Sequence, residues 1–310
     1  MKKKKKIKIH FFIVYYMVGL KEIIIGFLIV FFLFYKDISD YYQKWKGIRG
    51  DKGIHNGKDK GIDNGKDIHI GRGDSKRVDI KTHKSIPKVV YKTGIDDYNN
   101  LHRSVKNVFS KTIKDNPGFK INYYSNKDSR DFIKNNFSNV TLITYDKLIP
   151  GAYKADLFRY CILYKNGGIY SDLTQRFMKP FDEFIDFKND NLYLVKDIPQ
   201  NNHNGVQISF MASRPGNEIF RNAIAMVIKN VNDKYYGQNP LHPTGPALFY
   251  KILQEYNGKY KMELKETGIK VVDKNNETII MNKINNHQSV ILRNQEHYST
   301  LWANNRIYKS

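Results

Sequence analysis

Residues 85–310 predict an α/β domain: a mainly parallel sheet flanked by helices. Short apolar runs at 89–91, 121–124 and 140–143 alternate with helical patterns at 104–109 and 131–137, the rhythm of strand–helix–strand units. A helix that stops on Gly167-Gly168 and restarts as the β-prone run Ile169-Tyr170-Ser171 repeats that rhythm. With 310 residues, of which 41% are hydrophobic, the chain can supply one large core.

The elements can be justified in order. Lys2 to Lys6 precede an apolar run over residues 9–35 that only Lys21-Glu22 interrupts. A single membrane span needs about 20 mostly apolar residues, and the charged pair costs about 2.5–3.5 kcal/mol per charge at mid-bilayer. Residues 1–36 are therefore expected to be a basic N-terminus with a transmembrane signal anchor, cytoplasmic at its start; a partly inserted helix or hairpin is the other reading. No small-residue cleavage site follows the run.

Residues 37–84 are expected to be a flexible Gly/Lys/Asp-rich stem. Gly53-Ile54-His55-Asn56-Gly57-Lys58-Asp59 returns as Gly61-Ile62-Asp63-Asn64-Gly65-Lys66-Asp67, and such a segment has too little apolar surface to fold alone. Its Asp/Asn/Gly texture lacks the ligand spacing of a calcium loop.

Within the domain, residues 152–174 read as helix, stop, strand and site. Leu157, Cys161, Ile162 and Tyr164 recur at helical spacing, with Asp156, Arg159 and Tyr160 three and four apart on another face. Asp172 then emerges at a strand's C-terminal end, where open α/β sheets place ligand groups. Further strands are expected at 192–195 and 206–210 and a helix at 217–230. A last helix is expected at 247–256, opened by Thr244 and Pro246.

Ala152, Asp156, Arg159-Tyr160, Leu163-Tyr164, Gly167-Gly168-Ile169-Tyr170 and Asp172-Leu173-Thr174 follow one another here. In that order and spacing they resemble the DXD-containing, sugar-binding-region glycosyltransferases of family 32, which include fungal α-mannosyltransferases and α-1,4-galactosyl- or N-acetylglucosaminyltransferases. Residues 86–93, Asn116-Pro117-Gly118-Phe119 and Thr244-Gly245-Pro246 extend the resemblance in the right order. It implies a GT-A type fold. It also implies a retaining transfer of a hexose from a UDP- or GDP-sugar to a glycan, lipid or protein acceptor.

By matched position the resemblance assigns Asp156, Arg159 and Asp172 to catalysis. Donor binding would involve Tyr91, Asp156, Arg159, Tyr160, Gly168, Asp172 and Thr174. Thr244 and Gly245 would line the acceptor pocket, together with Asn204 in a polar loop. A departing diphosphate gathers negative charge that a divalent cation or fixed cations must absorb; the resemblance implies Mn²⁺ or Mg²⁺, with Asp172 and His297 as ligands. Thr174 occupies the second acidic slot, and a hydroxyl is a weaker ligand for a hard cation. That substitution keeps a second reading open: a catalytically degenerate sugar-nucleotide-binding or scaffold protein. Tyr91 is either a ring stacked on a base or a strand tyrosine, and His297 is either a site residue or a surface histidine.

Charge and cysteine usage exclude other classes. The net charge of +22 is spread as +8, +3 and +11 over residues 1–50, 51–84 and 85–310. No basic face with interleaved aromatics stands out, so nucleic acid is not an expected partner. Cys161 is the only cysteine, which removes intrachain disulfides and paired-cysteine metal sites. A luminal catalytic domain, Golgi- or ER-like, agrees with the anchor and with sequons at Asn136, Asn139 and Asn276, although an Asn-rich chain produces sequons by chance.

Overall fold

In the computed structural model, residues 84–198, 205–282 and 296–309 are described. They all lie in the unit Asp67–Ser310. The expected anchor, residues 37–83 of the expected stem and Asn204 lie outside the described residues. Among the described residues no helix is long and apolar enough to cross a membrane.

The described residues form an α/β fold, with nine strands in one sheet. The strands are β1 (Val89–Thr93), β2 (Lys120–Tyr124), β3 (Gly168–Ser171), β4 (Arg176–Phe177), β5 (Leu192–Lys196), β6 (Val206–Ser213), β7 (Lys261–Glu266), β8 (Lys270–Val272) and β9 (Thr278–Met281). Their order across the sheet is β2-β1-β3-β6-β5-β7-β8-β9-β4. The helices are α1 (Arg103–Asp115), α2 (Asn126–Asn136), α3 (Asn139–Lys147), α4 (Gly151–Asn166), α5 (Glu218–Asn232), α6 (Pro246–Gln254) and α7 (Tyr298–Ala303).

The sheet is mixed, which corrects the mainly parallel expectation. β1 pairs in parallel with β2 and β3, and β5 with β7. The remaining neighbours run antiparallel. Helical crossovers set the parallel pairing of β1 with β2 and β3, through α1 and then α2 to α4, and the β5–β7 connection runs through β6, α5 and α6; the short β7–β8 and β8–β9 turns instead reverse the chain.

The sheet must also curl. β3 and β4 stand six strand spacings apart in the sheet order, about 29 Å if flat. Yet only residues 172–175 join them, a link that reaches about 18 Å at most. Curling brings the far edge back toward β3 and lays the 172–175 link across the opening.

Two cores cover the two faces of the sheet. Tyr91, Tyr170, Leu192 and Leu194 pack with α4, α5 and α6, while Val90, Ile169, Tyr193 and Val195 pack with Phe119, Phe177 and Phe181. The alternation is the period of two that a pleated strand imposes.

One expected strand is a helix. Residues 140–143 are β-branched and apolar, yet they lie in α3, where Thr141, Thr144 and Tyr145 are the buried positions at helical spacing. β-propensity yields to such tertiary packing. Helix α4 is also sealed more completely than an amphipathic pattern implies, since residues 156–163 are all buried.

Candidate active site

Asp172 leaves the C-terminal end of β3, and its neighbours come from strand ends as well. Asp172, Thr174, Gln175, Asp197, Ile198, Gln207, Ser209, Glu266, Gly268 and Asn282 line a cavity of about 280 Å³. They are supplied by the β3–β4 link, the end of β5, the start of β6, the β7–β8 turn and the end of β9.

Beside this cavity stands a chain of charges. Arg159 is 6% exposed; its Nη2 lies 3.1 Å from Asp156 Oδ1 and its Nη1 3.5 Å from Asp172 Oδ1. Nη1 also donates to the Ile208 carbonyl at 2.6 Å, and the guanidinium lies over the Tyr170 ring, 4.4 Å from its centroid. Burial works against the charged guanidinium, but Tyr170, Asp172 and Asp156 outweigh it and hold Arg159 protonated.

Asp156 is pushed up to about 6, because burial outweighs the opposing pull of Arg159 and of the Thr244 hydroxyl, with Asp172 adding to the rise. It remains mostly ionised at neutral pH. The Tyr170 hydroxyl donates to Asp172 Oδ1 at 3.1 Å, and the Asp172 side chain is 43% exposed, so it is the member of the three open to a ligand.

An irregularity in β6 makes this possible. Its register against β5 shifts between Tyr193 and Val195, which pair with Ala212 and Gln207. Ile208 and Ser209 fall in that interval, and their carbonyls are taken by Arg159 and by the Asp172 amide at 2.8 Å. Bulges often re-aim groups beside active sites in this way.

The remaining assigned residues divide. Thr244 is buried and its hydroxyl donates to Asp156 Oδ2 at 2.7 Å, so it serves the acid and does not line an open acceptor pocket. Gly245, and not Thr244, occupies the N-cap of α6, with Pro246 inside the first turn. A Cβ on Gly245 would come within 3.5 Å of Asp156 Oδ2, which places this residue at the site.

Three residues assigned to donor binding are not among those lining the cavity. Tyr91 is 4% exposed and packs against Tyr124, the surroundings of a strand tyrosine. Tyr160 is fully buried, stacked on Phe249 with its hydroxyl donated to the Thr244 carbonyl. Gly168 begins β3, at the opposite end from Asp172; its φ of +93° and a would-be Cβ 2.8 Å from the Val89 carbonyl explain why glycine stands there.

The Thr174 hydroxyl donates to the Asn282 carbonyl at 2.9 Å. Exposed His297 caps α7, its Nδ1 accepting from the Ser299 amide at 3.3 Å. Among the described residues no group of three or more His, Cys, Asp or Glu side chains forms a metal set. His297 is not among the residues that line the cavity with Asp172. What the donor set does fit is a Mg²⁺- or Mn²⁺-type site of one carboxylate, Asp172, completed by the phosphates of a substrate.

Lys92 carried no signal in the sequence beyond its place in the opening strand. It is completely buried, and its Nζ donates to Ser171 Oγ at 3.0 Å and to the carbonyls of Asp172 at 2.9 Å and Gln175 at 3.3 Å. Burial pushes the ammonium down to about 7 against the opposing effect of Asp172. From Ser171 the network continues: its hydroxyl donates to Gln175 Oε1, and Gln175 Nε2 donates to Ser209 Oγ and Asn282 Oδ1. Asn282 Nδ2 in turn donates to Glu266, which also accepts from Gln207. Only three-dimensional folding brings these residues together.

Residues 102–190, which contain Asp156, Arg159, Asp172 and Thr174, match the glycosyltransferase sugar-binding region containing DXD motif. An uncharacterized glycosyltransferase of Acanthamoeba polyphaga mimivirus is 31% identical over 172 residues, 55% of this chain and 66% of that protein. An initiation-specific alpha-1,6-mannosyltransferase of Candida albicans is 27% identical over 214 residues, 56% of this chain and 54% of its own. The matches span less than two thirds of either relative. Among solved structures, the PaToxG glycosyltransferase aligns at 16% identity over 55% of this chain and 70% of that one, with a TM-score of 0.41. Residues 102–190 thus carry the sugar-binding region with its DXD motif, and the chain is similar to these glycosyltransferases over about half of its length.

Proposed function

We propose that this protein transfers a hexose from a UDP- or GDP-sugar to a hydroxyl of a glycan, lipid or protein, with retention of configuration. The observation that carries the reading is the Asp156–Arg159–Asp172 array, held at 3.1 and 3.5 Å beside a cavity formed at strand ends. In this reading Asp172 is the exposed acid that meets the donor, and Arg159 and Asp156 fix where it points. A divalent cation held by Asp172 and the donor phosphates would supply neutralisation of the departing diphosphate.

Asp156 is locked to Arg159 and Thr244, which leaves it poorly placed as a nucleophile. Displacement from the front face, guided by the leaving group, accounts for retention. Trapping a glycosyl-enzyme on Asp156 or Asp172 would overturn that step. Anchoring by the apolar run at 9–35, with a luminal catalytic domain, belongs to the same proposal and is tested by protease protection of the expressed chain in sealed vesicles.

Calorimetric titration with UDP- and GDP-hexoses tests donor use. Saturable binding of one donor, weakened in Asp172→Asn, supports the reading; no binding of any donor refutes it.

The Thr174–Asn282 hydrogen bond favours one alternative, a degenerate sugar-nucleotide binder. That alternative predicts donor binding without turnover, and Mn²⁺-dependent hydrolysis appearing in Thr174→Asp. Turnover in the parent chain excludes it.

A further inference from the structure

We propose that Lys92 is a positioning residue for this site: its sealed Nζ gathers the 172–175 link by hydrogen bonds and so aims the Asp172 carboxylate and the Thr174 hydroxyl. The proposal rests on the reading of this site as a donor site. Lys92 lies on the same face of β1 as Val90, a position whose neighbours are the rings of Phe109 and Phe177, 5.8 and 5.5 Å from Nζ. Sheet packing alone calls for an apolar residue there, since burying an ammonium is costly unless its hydrogen bonds are met.

They are met from one place. An ammonium has three donors, and all three go to Ser171, Asp172 and Gln175. Nζ takes the main-chain carbonyl of Asp172 and leaves its carboxylate turned to Tyr170 and Arg159. With the carbonyls of residues 172 and 175 drawn inward, the side chains of Asp172 and Thr174 line the cavity. Other clasps on the link include the Asp172 amide on Ser209, the Gln175 amide on Asp172, the side chains of Thr174 and Gln175 on Asn282 and Ser209, the Ser171 hydroxyl on the Asp172 carbonyl and on Gln175 Oε1, and Tyr170 and Arg159 on the Asp172 carboxylate. None of these gathers two main-chain carbonyls of the link on one point as Lys92 does. The link should therefore be preformed without any divalent cation.

Amide hydrogen exchange on the full chain tests this without relying on activity. In the parent protein with no metal added, the amides of Asp172 and Gln175 should be protected, and Mn²⁺ should add little. Lys92→Met, of similar length and without donors, should speed exchange over 172–175 by about tenfold or more, the loss expected for charged hydrogen bonds, with residues 157–163 of α4 unchanged. Lys92→Gln, which keeps a neutral donor, should fall between. Equal acceleration in link and core would make Lys92 a fold-stabilising residue only and overturn the proposal, as would an unprotected link in the parent. If neither variant folds, the parent measurement decides. UDP affinity in the same proteins should fall with link protection. Absence of nucleotide binding in the parent would count against the proposed function, leaving the exchange result to judge Lys92.

Discussion

Thr244 and Asp156, 88 residues apart in sequence, are joined by a 2.7 Å hydrogen bond in which the threonine hydroxyl donates to Oδ2 of the carboxylate. That bond ties the loop before α6 to the middle of α4. It also gives the buried acid a second partner besides Arg159.

Thr244→Val keeps the shape and removes the donor, leaving a buried carboxylate oxygen unpaired. We expect a loss of about 1–3 kcal/mol, read as a melting temperature lower by about 2–4 °C for each kcal/mol. Thr244→Ser should restore most of it. An unchanged melting temperature in the valine variant would contradict the role given to this bond.

The acid limb of donor binding should follow Asp156. Its carboxyl titrates at about 6 in the fold against 3.8 as its ordinary value. Between those values the folded state holds more protons than the unfolded state, so this group's contribution to stability falls as pH rises through the window and is lost above about 6. Donor affinity moves oppositely, because the Arg159 pair needs the ionised acid. Thermal melts and donor titrations from pH 4 to 7 should show both trends, and Asp156→Asn should flatten both.

Arg159 spans the Ile208 carbonyl, Asp156 and Asp172 with one planar fork, a geometry that a lysine point charge lacks. Arg159→Met should cost about 3–5 kcal/mol by leaving Asp156 buried without its cation. Arg159→Lys should lose less stability while still weakening donor binding. Denaturant unfolding beside calorimetry separates the two effects, and equal stability of Arg159→Met and the parent would refute the pairing.

Gly168→Ala should destabilise independently of the site. The substitution combines a φ of +93° with a Cβ 2.8 Å from the Val89 carbonyl, and strained backbone alone costs roughly 1–3 kcal/mol. The variant should melt earlier, while any donor affinity measured below its transition stays near that of the parent.

Residues 152–174 were legible because their information is local: helical spacing, a glycine stop and an acid just past a strand fall within one stretch of chain. Family resemblance then ranked Asp156, Arg159 and Asp172 above the other acids. The same resemblance points to Tyr91, Tyr160 and Gly168, which packing sets apart from the residues that line the cavity. Lys92 was unreadable because a lysine in a strand reads as exposed, and the turn that accepts its protons lies 79–83 residues away. Glu266 and Asn282 reach the cavity only because the sheet curls, and the mixed strand order that curls it leaves no periodic trace in the chain. Helix α3 was missed for a different reason: its buried positions are threonines and a tyrosine, which a hydrophobic pattern passes over.

The most direct test is release of UDP or GDP by the purified full-length chain, incubated with a panel of sugar nucleotides with and without Mn²⁺, alongside Asp172→Asn. Release from one donor, abolished or reduced by about 100-fold or more in the variant, as for loss of a group that stabilises developing charge, is the predicted result. Equal release by parent and Asp172→Asn would contradict the placement of the reaction at Asp172, and no release from a folded parent with any donor and acceptor would contradict the transferase reading itself.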